Sequence, residues 1–559
     1  MTAAGQFDAI VVGSGISGGW AAKELTERGL KVLMIERGRR VEHGRDYTTE
    51  MVPPWELAYR GLGDPLDANV GARRDAGGVD EWNQHFFVDE RQHPYQTPDG
   101  RPFNWRRGYQ LGGRSLVWGR QCYRWSDTDF EANARDGHGV DWPIRYADLA
   151  PWYDHVEAFA GISGSSERLP QLPDGPFQPP MPLNHVEAAF KAKIEASFPG
   201  RKVIPGRVAN LTQDLNGRQR CRYRDTCSRG CSLGAYFSTQ SSTLPAARKT
   251  GNLTLLTGHR VVGLDFEPAT RRVTGVRVVD ASGRAGATYT SRIVFLCAST
   301  LNSVQILLQS KSERFPNGLA NSSGVLGQFL MDHAQGSLVA VVPGYQDRSY
   351  YGFKPNGFYI PRFRNFSEMS PGLLRGYGVQ GNAFRVNWYQ RLAIAGVGAP
   401  LKAKLRTLGA WVITLSPFAE CLPNASNRVT LDEKRLDLQG QPQLLIDFTW
   451  GDNERALLAD AVTEGQRMVS AFGGQILSKR AEPVVAGGSG HEMGGARVGR
   501  DPSSSVLNGL NQAHDAPNLF VTDGASMTSS ACQNPSLTYM ALTARACDAA
   551  VSMLKESKI

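Results

Sequence analysis

A short apolar strand near the amino terminus runs directly into a glycine-rich turn, and few folds accommodate that combination. The strand covers Phe7–Val12, and the turn reads GSGISG over residues 13–18. A helix-like segment closed by Gly29 follows, and a second strand over residues 31–35 ends at Glu36. Strand, glycine turn, helix, strand and acid within about 30 residues form the dinucleotide-binding fingerprint of a Rossmann-like α/β fold.

Each glycine of this turn has its own physical task. Gly13 permits the sharp turn, Gly15 lets the backbone approach a pyrophosphate, and Gly18 lets the helix pack close to the strand. Glu36 can accept hydrogen bonds from a ribose diol and would repel a 2′-phosphate, and Arg37 beside it is also predicted to contact the cofactor. The fingerprint by itself leaves NAD and FAD open as the dinucleotide.

Composition narrows the function classes further. The chain has 559 residues and a net charge of +9, which is mild for this length, and it shows no clustered basic stripe, so nucleic-acid binding is not expected. No apolar run approaches the ~18–20 residues of a membrane helix. The first residues, MTAAGQFD, lack a basic stretch and an apolar stretch, which predicts a cytoplasmic protein without an export signal of its own.

The carboxyl-terminal segment holds a second strong pattern. A predicted strand over residues 518–522 is followed by Asp523 and Gly524. Asn534 then precedes Pro535, and because Asn is a good N-cap and Pro suits the first helical turn, a helix is predicted to begin there. Apolar residues recur at helical spacing through the rest of the segment and predict one buried helix face.

Three segments together resemble the glucose-methanol-choline oxidoreductases, a family of flavoenzymes. They are the amino-terminal GSGISGG…IERG, the segment RGYQLGGRSLVWGR at residues 107–120, and the carboxyl-terminal block that begins at His491. The similarity covers essentially the whole chain and looks greatest to the bacterial branch with glucoside 3-dehydrogenases and pyranose oxidases. It implies that His491 and Asn534 are the catalytic pair of an alcohol oxidation in which flavin takes the hydride. A neutral imidazole poised near pH 7 is a suitable base for the hydroxyl proton.

The resemblance also implies which residues hold FAD. Besides the fingerprint residues, those expected at the cofactor are Gly112, Gly113, Ser115, Val261, Asp523, Gly524 and Pro535. Some relatives carry a histidine near the end of the 107–120 segment that is bonded covalently to FAD. The matching position here is Val117, so the FAD is predicted to be noncovalent.

Residues 218–234 contain three of the eight cysteines, Cys221, Cys227 and Cys231, among five arginines whose charge would stabilise thiolates. The residues alone leave four interpretations open. A disulfide is disfavoured in a reducing cytosol, and zinc needs a fourth ligand that this run lacks. Three thiolates suit a three-iron cluster in which each iron takes one cysteine. The last interpretation is three unrelated buried thiols.

The spacing of these cysteines resembles that in flavin subunits of bacterial glucose dehydrogenases, which carry a 3Fe-4S cluster. This chain departs from their pattern at Arg222, where those proteins have an adjacent cysteine. The resemblance implies a 3Fe-4S cluster on Cys221, Cys227 and Cys231 that passes electrons singly from the flavin to an external acceptor. Such a relay favours a dehydrogenase over an oxidase.

The flavin domain is predicted to be discontinuous, over residues 1–150, 205–335 and 486–559. Residues 151–204 are expected to connect it to a substrate domain over residues 336–485, where alternating apolar segments favour an antiparallel sheet. The predicted fold class is therefore α/β: a Rossmann-like FAD-binding domain with a second domain of α+β type.

The sequence gives the least information about the residues that bind substrate. The stretch 350–389 is rich in aromatic side chains, on which the C–H faces of sugar rings can stack. Gln380 and Asn382 in this stretch are candidates for binding substrate hydroxyls. His333, in a segment that closes the flavin domain of the family, is interpreted as structural.

These patterns, taken with the resemblance, predict an FAD-dependent dehydrogenase that oxidises a secondary hydroxyl of a sugar or glycoside, at C3 of a glucoside. Its electrons would leave to a cytochrome or quinone. Relatives often pair with a small subunit that carries the export signal, and such a partner would make the enzyme periplasmic. The rival predictions are a pyranose or glucoside oxidase that uses O2, a NAD-linked dehydrogenase, and a noncatalytic flavin subunit that only transfers electrons.

Overall fold

The computed structural model describes residues 7–61, 63, 78–386 and 396–559. Trp388 and Tyr389 of the aromatic-rich stretch lie outside the described residues. The α-helices of the described part are α1 (Ile16–Glu27), α2 (Asp127–Phe130), α3 (Ala132–Asp136), α4 (Tyr146–Ala160), α5 (His185–Ser197), α6 (Thr243–Lys249), α7 (Thr300–Gln309), α8 (Gly398–Arg406), α9 (Asp452–Ala471) and α10 (Ser536–Lys555).

The strands form one parallel sheet and several antiparallel ones. They are β1 (Phe7–Val12), β2 (Val32–Glu36), β3 (Ile204–Pro205), β4 (Leu253–Thr257), β5 (His259–Glu267), β6 (Arg272–Asp280), β7 (Ala285–Tyr289), β8 (Ser291–Leu296), β9 (Ala334–Gln335), β10 (Ser337–Val342), β11 (Phe358–Ile360), β12 (Tyr377–Arg385), β13 (Trp411–Ala419), β14 (Arg428–Leu436), β15 (Pro442–Asp447), β16 (Gln475–Arg480) and β17 (Leu519–Val521).

The parallel sheet has the strand order β17-β8-β1-β2-β4, and every neighbouring pair in it is parallel. Strand β2 is buried along its whole length, which explains why it reads as a continuous apolar run rather than an alternating one. Helices α1 and α10 pack against each other beside this sheet. Strands β2 and β4 are added on one side of β1, whereas β8 and β17 are added on its other side, so the strand order reverses between β1 and β8. Open α/β sheets bind ligands at such a point, outside the carboxyl ends of the strands. The Rossmann-like prediction is confirmed.

The second unit is built on an antiparallel sheet with the order β16-β10-β13-β12-β11-β3, and β9 pairs with β13. Helix α9 packs on this sheet. The predicted antiparallel sheet is therefore present, but β3 brings residues 204–205 into it from outside the range 336–485. The segment 151–204, predicted only to connect, contains most of α4 and all of α5.

Two smaller antiparallel sheets, β5-β6-β7 and β14-β15, complete the strands of the described part. No helix in the described ranges combines the length and the apolar character that crossing a membrane requires.

The helix predicted to have Asn534 as its N-cap and Pro535 in its first turn begins one residue later, at Ser536, with Pro535 as its N-cap at φ −81° and ψ −13°. The predicted N-cap role of Asn534 is therefore wrong. Its side chain makes hydrogen bonds to two other side chains, described below, and is not used to cap the helix.

Candidate functional site

A cleft connects the fingerprint turn with the start of α10. Its empty volume, including the part open to solvent, is about 1720 Å³. The predicted cofactor residues that line it are Gly13, Gly15, Glu36, Arg37, Gly113, Ser115, Val261, Asp523, Gly524 and Pro535. His491 and Asn534 line the same cleft. The fold thus brings the fingerprint and the predicted catalytic pair to one continuous cavity.

The glycine turn has the geometry that its sequence predicts. Gly13 has φ +94°, and a Cβ there would lie 2.4 Å from the carbonyl oxygen of Cys297. A Cβ at Gly18 would lie 1.9 Å from the Gly13 carbonyl oxygen, so α1 can approach the turn only because residue 18 has no side chain. Gly15 is the N-cap of α1, and this helix end, with its free N–H groups, suits a phosphate.

Glu36 ties the end of β2 to the glycine turn. One carboxylate oxygen accepts hydrogen bonds from the backbone N (3.1 Å) and Oγ (2.5 Å) of Ser14, and the other accepts from Gly38 N at 2.8 Å. Ser14 Oγ accepts in turn from Gly112 N at 3.0 Å. Gly112 therefore lies against the fingerprint turn. The loop that begins with Gly112 and Gly113, the second glycine loop, is packed against the first at this point.

Arg37 lies over the ring of Tyr109, with its guanidinium carbon 3.7 Å from the ring centre. Its Nη1 donates to Asn302 Oδ1 at 3.4 Å, and burial lowers the pKa of Arg37 to about 10. A guanidinium is itself planar, and one held in place in this way offers a surface on which a purine ring can stack.

The second glycine loop continues as a short 3₁₀ turn over Gly113–Leu116. Ser115 Oγ donates to Gly112 O at 2.6 Å and accepts from Thr239 N at 3.1 Å, so the loop is closed on itself. Arg114 points the other way and donates to both carboxylate oxygens of Glu492, at 2.6 and 3.2 Å. This ion pair joins the loop to the segment that carries His491, and the sequence patterns did not single it out.

The remaining predicted cofactor residues lie at the other walls of the cleft. Val261 is on β5. The Asp523 carboxylate accepts from Ser303 Oγ at 2.5 Å and from Ala525 N at 3.0 Å, and burial raises its pKa to about 6. Because Asp523 is held on both sides, its position at the cleft is set before any ligand binds.

His491 and Asn534 meet at the cleft. His491 Nε2 lies 3.2 Å from Asn534 Nδ2, although the two residues are 43 positions apart in the chain. Asn534 Oδ1 accepts from Gln380 Nε2 at 2.5 Å. The backbone N of His491 donates to Asp332 Oδ1 at 3.1 Å. This hydrogen bond fixes the main chain from which the imidazole projects.

Burial lowers the pKa of His491 well below its ordinary value, and the charges of Arg114 and Arg106 act in the same direction. The imidazole is therefore neutral near pH 7. A neutral imidazole with one nitrogen toward a cleft can take up a proton from a ligand hydroxyl. The second imidazole at the site is His333, whose Nδ1 lies 2.8 Å from His491 Nδ1.

The two candidate substrate residues lie on β12 but are not among the described residues that line the cleft. Gln380 instead contacts Asn534, as given above. The Asn382 amide oxygen accepts a hydrogen bond from the Thr414 hydroxyl on the neighbouring strand. In the aromatic-rich stretch, Phe358 and Tyr359 are buried in the core, with 1 % of their surface exposed. Direct contact of any of these residues with substrate remains a prediction.

Cys221, Cys227 and Cys231 are free, partly buried thiols on one loop. Burial, and after it the other two thiols, raises the pKa of Cys221 to about 11. The sulfurs accept from Tyr223 N at 3.4 Å and, more distantly, from Asn210 Nδ2 at 4.0 Å and Arg224 Nη2 at 3.9 Å. In the described ranges, no three His, Cys, Asp or Glu side chains are arranged to hold a metal ion.

The cleft and this cysteine loop are connected through Arg120. Val117, Trp118 and Arg120 line the cleft, and Arg120 Nη1 also donates to the carbonyl oxygen of Cys227 at 3.2 Å. The cysteine loop is therefore separated from the cleft by a single side chain at this point.

The cleft fits an adenine dinucleotide. The open backbone at Gly15, where a Cβ would meet no atom within 4 Å, and the start of α1 suit a pyrophosphate. Glu36 offers carboxylate oxygens for a ribose, and the Arg37–Tyr109 pair offers a flat surface. His491 and Asn534 then lie where the far half of an elongated ligand in the same cavity can reach them.

Two of these site residues, Arg114 and Asp332, were missed because their partners are distant in the chain. Arg114 is 378 positions from Glu492, and Asp332 is 159 positions from His491. The only signal for Arg114 was its place directly after Gly112-Gly113, and no local pattern marks an ion pair that spans most of the chain.

Comparison with known proteins gives a consistent result. Sequence profiles described as GMC oxidoreductase match residues 7–335 and residues 423–543. The chain is 28% identical over 563 residues to 2-methyl-1,2-propanediol dehydrogenase of Mycolicibacterium austroafricanum, covering 98% of this chain and 95% of that protein. It is 24% identical to the large subunit of fructose dehydrogenase of Gluconobacter japonicus, covering 98% of each chain.

A solved structure shares the fold. Pyridoxine 4-oxidase from Mesorbium loti superimposes with a TM-score of 0.63 over 98% of this chain and 99% of its own, at 18% identity. Both sheets therefore belong to a fold that this oxidase also has.

Proposed function

Because the chain belongs to the GMC oxidoreductase family, we propose that it is an FAD-dependent dehydrogenase that oxidises a secondary hydroxyl of a sugar or glycoside, at C3 of a glucoside, to the 3-keto sugar. The family and its structural neighbours are FAD-binding flavoproteins. The observation that carries the proposal is the meeting of His491 Nε2 and Asn534 Nδ2, 3.2 Å apart, in the same cleft as the dinucleotide fingerprint.

The chain's own residues perform the acid–base part of this reaction. A substrate hydroxyl within reach of both side chains donates its proton to His491 Nε2, in place of the Asn534 contact that this nitrogen makes in the free protein. The same hydroxyl oxygen accepts a hydrogen bond from Asn534 Nδ2. The O–H bond breaks, an N–H bond forms, and the electron pair left on oxygen forms the C=O bond as the carbinol hydride leaves. FAD, when bound, supplies the hydride acceptor. Gln380 keeps the Asn534 amide oriented for its contact.

The sugar assignment is tested by anaerobic reduction with a substrate panel. We expect glucose and methyl glucosides to bleach the flavin absorbance, NADH to leave it unchanged, and NMR of the product to show a carbonyl at C3. Fructose, gluconate and 2-methyl-1,2-propanediol serve as competing substrates. Reduction by the diol alone would replace the sugar assignment, and a chain that no alcohol reduces would be a noncatalytic electron-transfer subunit.

The FAD is proposed to be noncovalent. Val117 lines the cleft, and by resemblance it matches the position of the histidine that some relatives bond to FAD. The histidines among the described lining residues are His259 and His491. His259 Nδ1 is engaged by the Thr257 carbonyl oxygen at 2.9 Å. Acid precipitation should release the flavin into the supernatant.

The electron acceptor is proposed to be external and reached through a 3Fe-4S cluster on Cys221, Cys227 and Cys231. Arg120 supports this route, because it borders the cleft and contacts the cysteine loop through the Cys227 carbonyl oxygen. In such a cluster each cysteine binds a different iron, so the three thiols need not converge on one ion. The acceptor would be a cytochrome or quinone, and a small partner subunit carrying an export signal would place the enzyme in the periplasm.

Iron analysis tests the cluster directly. Anaerobically purified protein should contain three iron atoms per chain, with an electron paramagnetic resonance signal in the oxidised state. Cys227→Ser should lose the iron and keep the flavin, whereas Cys122→Ser, a buried thiol outside the loop, should keep both. Iron-free wild-type protein would overturn the cluster, and stoichiometric H2O2 release during turnover would then favour the oxidase.

A further inference from the structure

His333, which was interpreted from the sequence only as structural, lies directly beside His491. Its side chain is completely buried, and its Nε2 faces two backbone carbonyl oxygens, Ala531 O at 2.9 Å and Ser530 O at 3.3 Å. A carbonyl oxygen can only accept a hydrogen bond. The Nε2 of His333 must therefore carry a proton, because a bare nitrogen there would face two oxygen lone pairs.

The other nitrogen of His333 is then determined by charge. Burial lowers the pKa of His333 to about 4, so the ring is neutral at pH 7 and carries a single proton. Since that proton is on Nε2, Nδ1 is a bare acceptor. His491 Nδ1 lies 2.8 Å from it, with the two rings at 83° to each other. A contact this short between two nitrogens needs one proton, and only His491 can supply it.

The tautomer of His491 follows from this assignment of protons to the ring nitrogens. A neutral imidazole with its proton on Nδ1 has a lone pair on Nε2. The hydrogen bonds on the other side of His491, through Asn534 and Gln380, also indicate a bare Nε2. Gln380 Nε2 donates to Asn534 Oδ1 at 2.5 Å, which turns the amide so that its NH2 group points at His491 Nε2, 3.2 Å away. Only a bare Nε2 can accept from that group.

We propose that His333 is a positioning residue that holds His491 as the neutral tautomer protonated on Nδ1, so that Nε2 keeps its lone pair. That lone pair accepts from Asn534 Nδ2 in the free protein and serves a substrate hydroxyl that displaces this contact. The proposal rests on the proposed role of His491 as the base. When Nε2 takes up the hydroxyl proton, the resulting imidazolium keeps its Nδ1–H hydrogen bond to His333 Nδ1. His333 therefore also stabilises the charge that forms on His491, without receiving a proton itself.

Two substitutions separate this role from simple packing. His333→Leu fills a similar volume but offers no acceptor, whereas His333→Asn places an amide oxygen near the position of Nδ1. We expect the rate of flavin reduction by substrate to fall by roughly 10²-fold or more in the leucine variant, since the wrong tautomer removes most of a base's effect. The asparagine variant should recover most of the rate. Flavin content and melting temperature are measured in parallel.

The pH profile provides a second readout. His491 is surrounded by His333, by the guanidiniums of Arg106 and Arg114, and by the carboxylates of Asp332 and Glu492. Its lowered pKa means that the wild-type rate of reduction stays constant as the pH falls from 8 through 6.5, where an ordinary histidine would become protonated. The leucine variant should be slow across this whole range, because deprotonation at high pH does not restore the tautomer.

Nitrogen NMR on ¹⁵N-histidine-labelled protein tests the tautomer without any turnover. The signals that disappear in His491→Ala should belong to a ring with its proton on Nδ1. In His333→Leu the Nδ1–H has lost its acceptor, so a form protonated on Nε2 should appear, against the preference that Asn534 Nδ2 alone exerts. A proton on Nε2 in the wild-type protein, or a wild-type rate in His333→Leu, would overturn the inference. Failure of every alcohol to reduce the protein would refute the proposed function, and the NMR result would still decide the tautomer.

Discussion

Replacing His491 with alanine leaves a folded protein that binds FAD but is reduced by substrate roughly 10²- to 10⁴-fold more slowly, the usual contribution of a general base. The substrate hydroxyl then has no acceptor for its proton, because Asn534 Nδ2 only donates. Removal of the side chain does not disturb the main-chain anchor, in which His491 N donates to Asp332. Anaerobic stopped-flow measurement of flavin bleaching gives the rate directly.

A matched control for this variant is His514→Ala. His514 lies in the same carboxyl-terminal segment and bonds Ser505 Oγ through Nε2 at 3.0 Å, but it does not line the cleft. It should keep the wild-type rate of reduction. Equal rates for His491→Ala and wild-type protein would remove His491 as the base, whereas equal losses in both variants would indicate a general effect on folding.

The second large effect is expected at the glycine turn, where neighbouring positions should respond in different ways. Gly15 has φ −64°, and a Cβ there meets no atom within 4 Å, so Gly15→Ala should fold normally. Its methyl group would occupy the part of the cleft where a pyrophosphate approaches. An overpacking cost of about 1–3 kcal/mol corresponds to an FAD dissociation constant raised roughly 5- to 150-fold.

Titration of the apoprotein with FAD, followed by flavin fluorescence, measures this change, and thermal unfolding of the apoprotein checks the fold. Gly18→Ala should instead lose stability before any cofactor is added, since its Cβ would lie 1.9 Å from the Gly13 carbonyl oxygen. Gly465→Ala, inside α9 where the nearest atom is 3.4 Å away, should keep the wild-type FAD affinity and should not lower the melting temperature, since alanine favours a helix over glycine. Unchanged FAD affinity in Gly15→Ala would mean that the pyrophosphate binds elsewhere.

The parallel sheet and its turn could be predicted because the decisive interactions are local. The apolar run of β1, the positive φ of Gly13 and the bare Cα of Gly18 all act within a dozen residues, and each leaves a pattern in the sequence. The start of α10 was predicted one residue too early, because the pattern Asn-Pro is typical of a helix start whether or not the Asn side chain is used elsewhere.

The domain organisation was harder to predict from local patterns. A two-residue strand, β3, joins the antiparallel sheet by pairing with β11, whose residues begin more than 150 positions later. Strand pairing of that kind depends on which edge of a sheet is open once the rest has folded. Gln380 was selected as a substrate residue from its type and neighbourhood, and the fold places it against Asn534.

The amino-acid sequence alone determined the dinucleotide turn and the strands beside it. Through resemblance, it also singled out His491 and Asn534 as the candidate catalytic pair. Only the tertiary structure decided what surrounds that histidine: His333 from 158 positions away, and Arg114 of the second glycine loop, which pairs with the neighbouring Glu492. The reason is physical. A glycine turn is selected by the sterics of its own backbone, whereas the proton on an imidazole is placed by donors and acceptors that only packing brings together.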